Sequence, residues 1–262
     1  AMGGIENSRY LLWFKKKHGG KYFDSTTPIG KYWMEHPVFT LGRAFVKNSV
    51  YVKQYYSLKE KPQKINKILG CSFRMLGASS SETKQMLKNL ICVAPNLGNK
   101  IAKLLDKRIL CGITFRASWE QSPAKTSSVS LLSETDRFGI SKVNLTWSKN
   151  ALDRKTIKQS INVFNEWFLK DNIGRIKLDD WLVNDLDYPE NDELGGQHHM
   201  GGTRMSDNRK FGVVDKNCKV FGSKNFYVAG SSVYVTGGYQ NPTLGIVQFS
   251  LRLSDHLKSM LT

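Results

Sequence analysis

The sequence predicts a mixed α/β and α+β fold, and three observations lead to this prediction. Runs of β-forming residues, separated by turn residues, fill positions 109–147 and indicate an antiparallel sheet. Apolar residues at helical spacing follow position 153 and indicate a long amphipathic helix. Near the end of the chain, a strand, a glycine-rich loop and a helix are expected in succession. With 262 residues, the chain is long enough for one or two domains.

The first part of the chain is predicted to begin with a short amphipathic helix. Gly3–Gly4 forms the turn before this helix, and Gly19–Gly20 ends it. Residues 21–37 are loop-like. Residues 38–57 contain β-formers interrupted by glycine and charges, which indicates two short strands. In residues 60–108 apolar side chains recur every three or four positions, so this stretch is predicted to be mainly helical.

The middle of the chain contains the predicted sheet and the long helix. Three strands are expected in the sheet, at Ile109–Phe115, Ser128–Leu132 and Lys142–Trp147. Asp136–Gly139 supplies the turn between the last two strands. Asp153 is expected to cap the helix that follows, and residues 170–194 to form a polar connection.

The last part of the chain is predicted to alternate short strands with glycine-rich loops. Gly212–Asp215 and Lys219–Gly222 are expected as short strands, and Asn225–Gly230 as a buried strand. Asn241 at the N-cap and Pro242 at the first helical position then mark the start of the final helix. Backbone amides at such a helix start, with the positive end of the helix dipole, would stabilise an anion or a developing negative charge.

The chain is strongly basic, with a formal net charge of +17. Such a charge suits a polyanion partner, either nucleic acid or an anionic membrane surface. However, the longest basic run is Lys15–Lys17, and no stripe interleaves basic and aromatic residues. We therefore expect a compositional bias and no nucleic-acid partner. A non-catalytic basic binding module or a partner subunit is the alternative function.

The spacing of the cysteines and the length of the apolar runs indicate the cellular compartment of the protein. The four cysteines lie far apart without a C-x-x-C pair, which is typical of buried thiols in a reducing compartment. His198, His199 and the distant Cys218 lack metal-ligand spacing, so no metal site is predicted. No apolar run approaches the roughly 20 residues of a membrane span, and no signal peptide is recognisable. We therefore expect a cytoplasmic protein without a membrane span, in a chain that begins without an initiator Met.

Two glycine-rich stretches, Gly195–Met205 and Ser231–Thr243, are the candidate functional segments. Each places polar side chains among glycines, a composition typical of backbone that approaches a ligand closely. A histidine from the first stretch, His198 or His199, could act as a base near neutral pH. An ordinary hydrogen-bonded histidine is the alternative for either residue.

Four segments of the second half also carry a resemblance to a known family: His198–Met205, Gly212–Asp215, Asn225–Ser232 and Thr236–Leu244. In this order they resemble the C-terminal half of the glucose–methanol–choline (GMC) oxidoreductases, flavoenzymes that oxidise alcohols and sugars. The turn and helix after Gly3–Gly4 resemble part of the family's flavin domain. Trp119–Pro123 and the strands after it resemble its substrate-domain sheet.

The resemblance implies two kinds of domain. These are the C-terminal part of an FAD-binding α/β domain and an antiparallel-sheet substrate-binding domain with helices. Residues 1–35 would be a piece of the FAD-binding domain, and residues 36–190 the substrate-binding domain. Residues 191–262 would return to the FAD-binding domain and carry the catalytic pair. The family's G-x-G-x-x-G phosphate turn is not in this sequence, so the implied partner is a missing N-terminal half of the flavin domain.

The resemblance also implies site residues and a reaction. His198 corresponds to the family's catalytic base and Asn241 to its partner, with His199 as the alternative base. FAD would be contacted by Gly230, Ser231, Asn241, Pro242 and Thr243. The substrate would be an alcohol or a sugar. His198 would take the hydroxyl proton while hydride passes from the CH–OH carbon to flavin N5.

Overall fold

The computed structural model describes residues 2–19, 21–52, 54–77, 113–190 and 197–261. Its chain forms two units, each assembled from segments that are distant in sequence. Unit 1 comprises Ala1–Pro37, Glu120–Arg154 and Gly195–Thr262, and unit 2 comprises Val38–Trp119 and Lys155–Leu194. Each unit combines helices with antiparallel strands, which confirms the predicted mixed fold class. Residues 120–154, which the sequence placed in the substrate-binding domain, belong to unit 1 in this division.

The described elements follow one another along the chain in a mixed order. In sequence order they are α1 (Gly4–Lys17), β1 (Val38–Val46), a 3-10 turn (Ser49–Tyr51), β2 (Tyr55–Ser57), α2 (Glu60–Asn66), β3 (Cys71–Leu76), β4 (Ile113–Trp119), β5 (Ser128–Thr135), β6 (Ser141–Thr146), α3 (Ala151–Lys170), β7 (Gly174–Leu178), α4 (Asp180–Val183), a second 3-10 turn (Ser231–Val233) and α5 (Thr243–Leu261).

Unit 2 is built on a five-stranded antiparallel sheet with the order β2-β3-β4-β1-β7. Along β4 every second side chain is buried, because successive side chains of a strand point to opposite faces. The buried face packs with the apolar side of α3, where Phe164 and Phe73 have ring centroids 4.7 Å apart. Ile157 and Ile161 of this amphipathic helix are buried, whereas its Trp167 stays partly exposed.

The prediction of a mainly helical stretch at residues 60–108 is confirmed at Glu60–Asn66 but is wrong at Cys71–Leu76. Helix α2 ends at Asn66, Lys67 adopts a left-handed conformation, and β3 begins at Cys71. β3 pairs with β4 over its whole length and alternates buried side chains at Cys71, Phe73 and Met75. This long-range pairing overrides local helical spacing. The remaining residues of that prediction, 78–108, lie outside the described residues.

Two further sheet predictions need correction. The strand predicted at Ile109–Phe115 is described from Ile113 and runs on to Trp119, and it pairs with β3 and β1 rather than with β5. The polar connection predicted at residues 170–194 contains β7 and α4. β7 completes the sheet by pairing with β1, where Gly42 has a φ of +145°. A Cβ on Gly42 would lie 2.0 Å from the Lys177 carbonyl oxygen, so the close pairing requires glycine.

Unit 1 contains the hairpin β5–β6, whose turn is the predicted one. The Asp136 carboxylate accepts hydrogen bonds from the backbone of Phe138 and Ile140, at 2.8 and 3.1 Å. Gly139 closes the turn with a φ of +75°. Arg9 from α1 reaches Asp136 at 2.6 Å, and this ion pair joins the first helix to the hairpin.

The start of α3 is capped by a pair of residues rather than by Asp153 alone. Asn150, just before the helix, accepts hydrogen bonds on Oδ1 from the backbone of Leu152 and Asp153. Asp153 in turn accepts from the Asn150 backbone N–H at 2.6 Å. This reciprocal arrangement is a capping box in which Asn150 is the N-cap, so the prediction that Asp153 is the cap is wrong.

Replacing Asn150 with alanine should lower the free energy of unfolding by about 1 kcal/mol, because two backbone N–H groups at the helix start lose their acceptor. Urea unfolding of both proteins measures this difference. Asn162→Ala is the matched control, since Asn162 is exposed in the middle of the same helix. Mid-helix alanine is at least as favourable as asparagine, so an equal loss in both variants would contradict the capping role.

The C-terminal segment holds the apolar core of unit 1 together with α1. Helix α5 begins at Thr243, and the Ile246 N–H bonds the Pro242 carbonyl, which confirms the predicted start within one residue. The strands predicted between residues 212 and 230 are wrong as continuous strands. Only isolated bridges are described there, such as Lys219 with Tyr227. The β-forming residues there lack a continuous ladder, which a strand needs for its hydrogen bonds. None of the described helices is long and apolar enough to cross a membrane.

Candidate functional site

The two glycine-rich stretches singled out in the sequence lie side by side in unit 1. Backbone N–H groups of the histidine-containing stretch donate to carbonyls of the 3-10 turn at the start of the second stretch. The three bonds are Gly201 to Ser231, Thr203 to Ser232 and Met205 to Val233, at 3.1, 3.1 and 2.9 Å. Every second residue of the histidine stretch donates, and the acceptors are three consecutive carbonyls of the turn. Segments separated by about thirty positions are therefore held in one register.

A third segment, residues 30–36, lies on the other side of the histidine stretch. Met34 and Met200 exchange two backbone hydrogen bonds, at 2.8 and 2.9 Å, and both side chains are fully buried. Gly201 has a φ of +72°, and a Cβ there would lie 2.1 Å from the Tyr32 carbonyl oxygen. Close backbone approach on both sides therefore explains why this motif contains glycine.

The start of α1 supports the same motif. A Cβ on Gly4 would lie 2.6 Å from the His199 carbonyl oxygen, so the helix approaches the motif closely. Asn7 is buried and donates to Ser232 Oγ at 2.8 Å and to the Ala229 carbonyl at 3.2 Å. Ser231 Oγ donates to the His199 carbonyl at 2.6 Å. These bonds hold the backbone at residue 199 and at residues 229–232 in place.

A buried carboxylate, Glu35, holds two histidines by their backbones. Glu35 is 3% exposed, and its oxygens accept from the His36 N–H at 2.8 Å and from the His198 N–H at 2.8 and 3.0 Å. One oxygen lies 3.6 Å from His199 Nε2. The Gln121 side chain accepts the Glu35 backbone N–H at 3.1 Å. A buried carboxylate is costly unless it accepts hydrogen bonds, so Glu35 is built into the motif.

His36 and His198 form a hydrogen-bonded pair. Their Nδ1 atoms are 2.9 Å apart, and His36 Nε2 lies 2.8 Å from the Gly238 carbonyl oxygen. His36 is 1% exposed, whereas His198 is half-buried. Burial, together with the neighbouring His198, lowers the pKa of His36 to about 4. His36 is therefore neutral near pH 7.

The lowered pKa of His36 predicts an acid-sensitive fold. Between the ordinary pKa of about 6.5 and the folded value of about 4, the unfolded chain binds more protons, so stability falls as pH falls through this window. The contribution present above pH 6.5 is on the order of 3 kcal/mol. Urea unfolding at pH 7 and pH 4.5 measures it. His36→Asn should reduce the loss of unfolding free energy between pH 7 and pH 4.5, whereas His18→Asn, at an exposed histidine, should not. An equal loss in the wild type and both variants would contradict the prediction.

A cavity of about 520 Å³ adjoins this pair in unit 1. Its lining runs through the second glycine-rich stretch and the first turns of α5, and it includes Gly237, Gly238, Asn241, Pro242, Leu244 and Gly245. Gly238 thus contributes a wall of the cavity and the carbonyl oxygen that bonds His36. The Gly238 N–H lies 3.3 Å from a Glu120 carboxylate oxygen, which also fixes this loop.

The residues proposed from the sequence occupy different parts of this site. His198 is joined through His36 to Gly238 on the cavity wall, and Asn241 lies exposed on the same wall. Pro242 also lines the cavity, and its carbonyl accepts the Tyr234 hydroxyl at 2.9 Å. Thr243 begins α5. Gly230 and Ser231 belong to the preceding 3-10 turn and not to the cavity lining.

Sequence reasoning missed Glu35 and His36 as parts of the site. Both residues were placed only within the loop-like residues 21–37. The only available signal was a pair of titratable side chains in an otherwise apolar and aromatic stretch, Tyr32–Pro37. No spacing rule links that stretch to His198, because 162 positions separate the two histidines. In the described part of the chain, no group of histidine, cysteine or acidic residues could hold a metal ion.

Comparisons with known proteins point to one family. A family model described as GMC oxidoreductase matches residues 123–249, which include both glycine-rich stretches. No curated protein sequence matched the chain.

Solved structures share the fold at low sequence identity. Formate oxidase from Aspergillus oryzae RIB40, in a study of FAD modification, is 16% identical with a TM-score of 0.53; the match covers 98% of this chain and 53% of that one. Pyridoxine 4-oxidase from Mesorbium loti is 11% identical with a TM-score of 0.60, covering 97% and 50%. An FAD-dependent oxidoreductase from Chaetomium thermophilum is 12% identical with a TM-score of 0.57, covering 99% and 54%. The chain therefore spans about half the length of these proteins.

Proposed function

We propose that this chain is the C-terminal, catalytic part of an FAD-dependent oxidoreductase of the GMC family that acts on a CH–OH group, because the GMC oxidoreductase family model matches residues 123–249. The substrate would be an alcohol or a sugar. The observation that carries this proposal is the hydrogen-bonded connection from His198 through His36 to Gly238 on the cavity wall. A half-buried imidazole that is connected to a cavity wall in this way would be suited to take up a proton from a bound hydroxyl group.

We propose that the residues around the cavity contact one side of a flavin. The cavity volume of about 520 Å³ is in the range of small-molecule sites. Its wall includes Gly237 and Gly238, which leave backbone accessible, and the first turn of a 19-residue helix. We propose that Asn241, Pro242 and Thr243 hold the ring system from this side, with Gly230 and Ser231 in the adjoining turn. The bound flavin would supply a two-electron acceptor for the hydrogen of the substrate carbon.

The proton transfer is assigned to His198. The substrate hydroxyl would donate its proton to His198 Nε2, since Nδ1 is engaged by His36. Such a positioned base typically accelerates a reaction by roughly 10²–10⁴-fold. The Glu35 carboxylate, bound to the His198 backbone, lies where it would favour the resulting imidazolium. Asn241 would donate from its amide to the substrate oxygen and orient it.

Helix α5 would add an electrostatic contribution. The backbone N–H groups at its start have no partner within the helix, and the helix dipole places partial positive charge there. Pro242 and Leu244, in this first turn, line the cavity. Negative charge that develops in the cavity would therefore be stabilised by the amino end of α5.

The implied partner of this chain is the rest of the flavin domain. The chain covers 50–54% of the matched solved proteins, and the sequence contains no G-x-G-x-x-G turn. Helix α5 also exposes an apolar stripe at positions 244, 247 and 251, where Leu244 is 70%, Val247 49% and Leu251 61% exposed. Such a stripe is typical of a helix face that is covered in a larger assembly. The domain boundaries at residues 35 and 190 and a cytoplasmic location remain parts of this proposal.

The proposal is tested by producing the chain together with a polypeptide that supplies the phosphate-binding half. We expect a yellow complex whose flavin absorbance bleaches anaerobically when an alcohol or sugar from a substrate panel is added. A complex that forms but contains no flavin, or a flavin that no member of the panel bleaches, would overturn the proposal. A stable flavin-free chain whose binding to polyanions falls steeply with salt would favour the alternative of a basic binding module.

A further inference from the structure

The hydrogen-bond partners of His36 restrict where its proton can be. A carbonyl oxygen only accepts hydrogen bonds, so His36 Nε2, 2.8 Å from the Gly238 carbonyl oxygen, must carry a proton. The ring is 1% exposed, and burial lowers its pKa to about 4. A neutral imidazole has one N–H only. His36 Nδ1 therefore presents a lone pair to its neighbour.

The neighbour of that lone pair is His198 Nδ1, at 2.9 Å. Two acceptors cannot share a hydrogen bond, so His198 Nδ1 must be the donor in this pair. In the neutral form of His198, the proton then resides on Nδ1 and the lone pair on Nε2. The two ring planes are inclined at 78°, which is compatible with a hydrogen bond in the plane of one ring.

From this geometry we infer that His36 is a positioning residue that fixes the tautomer of His198, so that His198 Nε2 is the proton acceptor of the site. The inference rests on the proposed function, in which His198 is the base. His36 acts through His198 and touches no substrate in this scheme. The second residue of the pair thus has a defined part in the reaction, which neither the family match nor the motif assigns to it.

The same arrangement suits both protonation states of His198. Before proton uptake, Nδ1 donates to His36 and Nε2 is free to accept. After uptake, both nitrogens of His198 are donors, and His36 Nδ1 still accepts. His36 keeps its own proton on Nε2 throughout, bonded to Gly238. No ring flip is needed in the cycle, so His198 keeps its orientation.

The charged and titratable groups around the pair agree with this assignment. The Glu35 carboxylate accepts the backbone N–H groups of both histidines and leaves their ring nitrogens to each other. His199 Nε2 lies 3.6 Å from Glu35 and is not part of the pair. The side chain of His199 is 41% exposed, so its tautomer is open to exchange with water.

Nuclear magnetic resonance of the chain labelled with ¹⁵N-histidine tests the inference directly. Long-range ¹H–¹⁵N correlations near pH 7.5 identify which ring nitrogen carries the proton, and single variants assign the five histidines. We expect His198 Nδ1 in the protonated range and Nε2 in the unprotonated range. In His36→Leu, which removes the acceptor, this pattern should be lost in favour of the Nε2–H form that water favours.

His36→Asn is the rescue variant, because asparagine carries its side-chain oxygen about where histidine carries Nδ1. It should preserve the Nδ1–H pattern of His198, and His199→Leu should leave that pattern unchanged. A wild-type His198 protonated on Nε2 would overturn the inference, and so would a His36→Leu chain with an unaltered pattern. If the leucine variant does not fold, the spectra of the wild type and of His36→Asn still show which ring nitrogen of His198 carries the proton.

The readout separates this inference from the proposed function, because it requires neither flavin nor substrate. An Nδ1–H pattern that depends on position 36 supports the role of His36 as tautomer-fixing residue. If His198→Ala then leaves flavin reduction unchanged in the complete protein, the proposed base is wrong. The absence of the Nδ1–H pattern would instead overturn the role of His36. The assignment of His198 as the base would then still be tested by its own variant.

Discussion

Replacing His198 with alanine is expected to slow flavin reduction by roughly 10²–10⁴-fold in the complete protein, the usual contribution of a positioned base. The variant loses the ring nitrogen that would accept the hydroxyl proton. The backbone N–H of residue 198 still reaches Glu35, so the motif should keep its shape. Flavin should remain bound, because the residues proposed to contact it are unchanged. Anaerobic rapid mixing with substrate measures the rate, and the flavin-to-protein absorbance ratio measures binding.

His199→Ala is the matched control for this prediction. His199 is the neighbouring residue in the same motif, and its ring lies 3.6 Å from Glu35 rather than in the pair with His36. We expect a much smaller loss of rate than in His198→Ala. An equal or larger loss in His199→Ala alone would show that the neighbouring histidine is the base. A loss of flavin in His198→Ala would show that the residue has a binding role instead.

Replacing Gly201 with alanine should destabilise unit 1 by roughly 3–5 kcal/mol, the largest stability effect that we expect from a single substitution here. Two terms add at this position. The φ of +72° places an alanine in the left-handed region, which costs roughly 1–2 kcal/mol. The new Cβ would also lie 2.1 Å from the Tyr32 carbonyl oxygen, a backbone atom two residues from the Met34–Met200 pairing. Urea unfolding measures the free-energy difference.

Comparison with Gly139→Ala separates the cost of the close contact from the cost of the left-handed backbone conformation. Gly139 has nearly the same φ, +75°, but no atom lies within 4 Å of the position that its Cβ would take. It should therefore cost only the conformational term of roughly 1–2 kcal/mol. If both variants lost the same stability, close approach of the Tyr32 backbone would not be the reason for glycine at position 201.

Local signals in the sequence were sufficient for several elements. The hairpin turn at Asp136–Gly139 is determined by a side chain that bonds its own backbone and by a glycine with positive φ. The start of α5 was predicted from the local Asn241–Pro242 signal and lies one residue later, with the Pro242 carbonyl accepting the first helical bond. The glycine-rich motif around His198 was recognisable for the same reason, since its composition reflects backbone approach at each position.

Other elements were decided by partners far away in sequence. β3 contains apolar residues that also fit a helix, and it is a strand because β4 supplies its hydrogen bonds from about forty positions later. The segments around Asn225–Gly230 have the composition of a strand, but the described chain supplies them only isolated bridges. A strand forms only where a second segment supplies its hydrogen-bond partners, so the residues of one segment cannot determine it alone.

The candidate site divides in the same way. The sequence by itself singled out His198 and Asn241 as candidates, because both lie in motifs whose residue types can be recognised one stretch at a time. Glu35 and His36 became visible only when the Met34–Met200 pairing brought residues 30–36 against the histidine motif. Which nitrogen of His198 is free depends on that long-range contact and on the Gly238 carbonyl behind it. Tertiary structure therefore decided the proton positions, since a tautomer is set by hydrogen-bond partners and not by residue type.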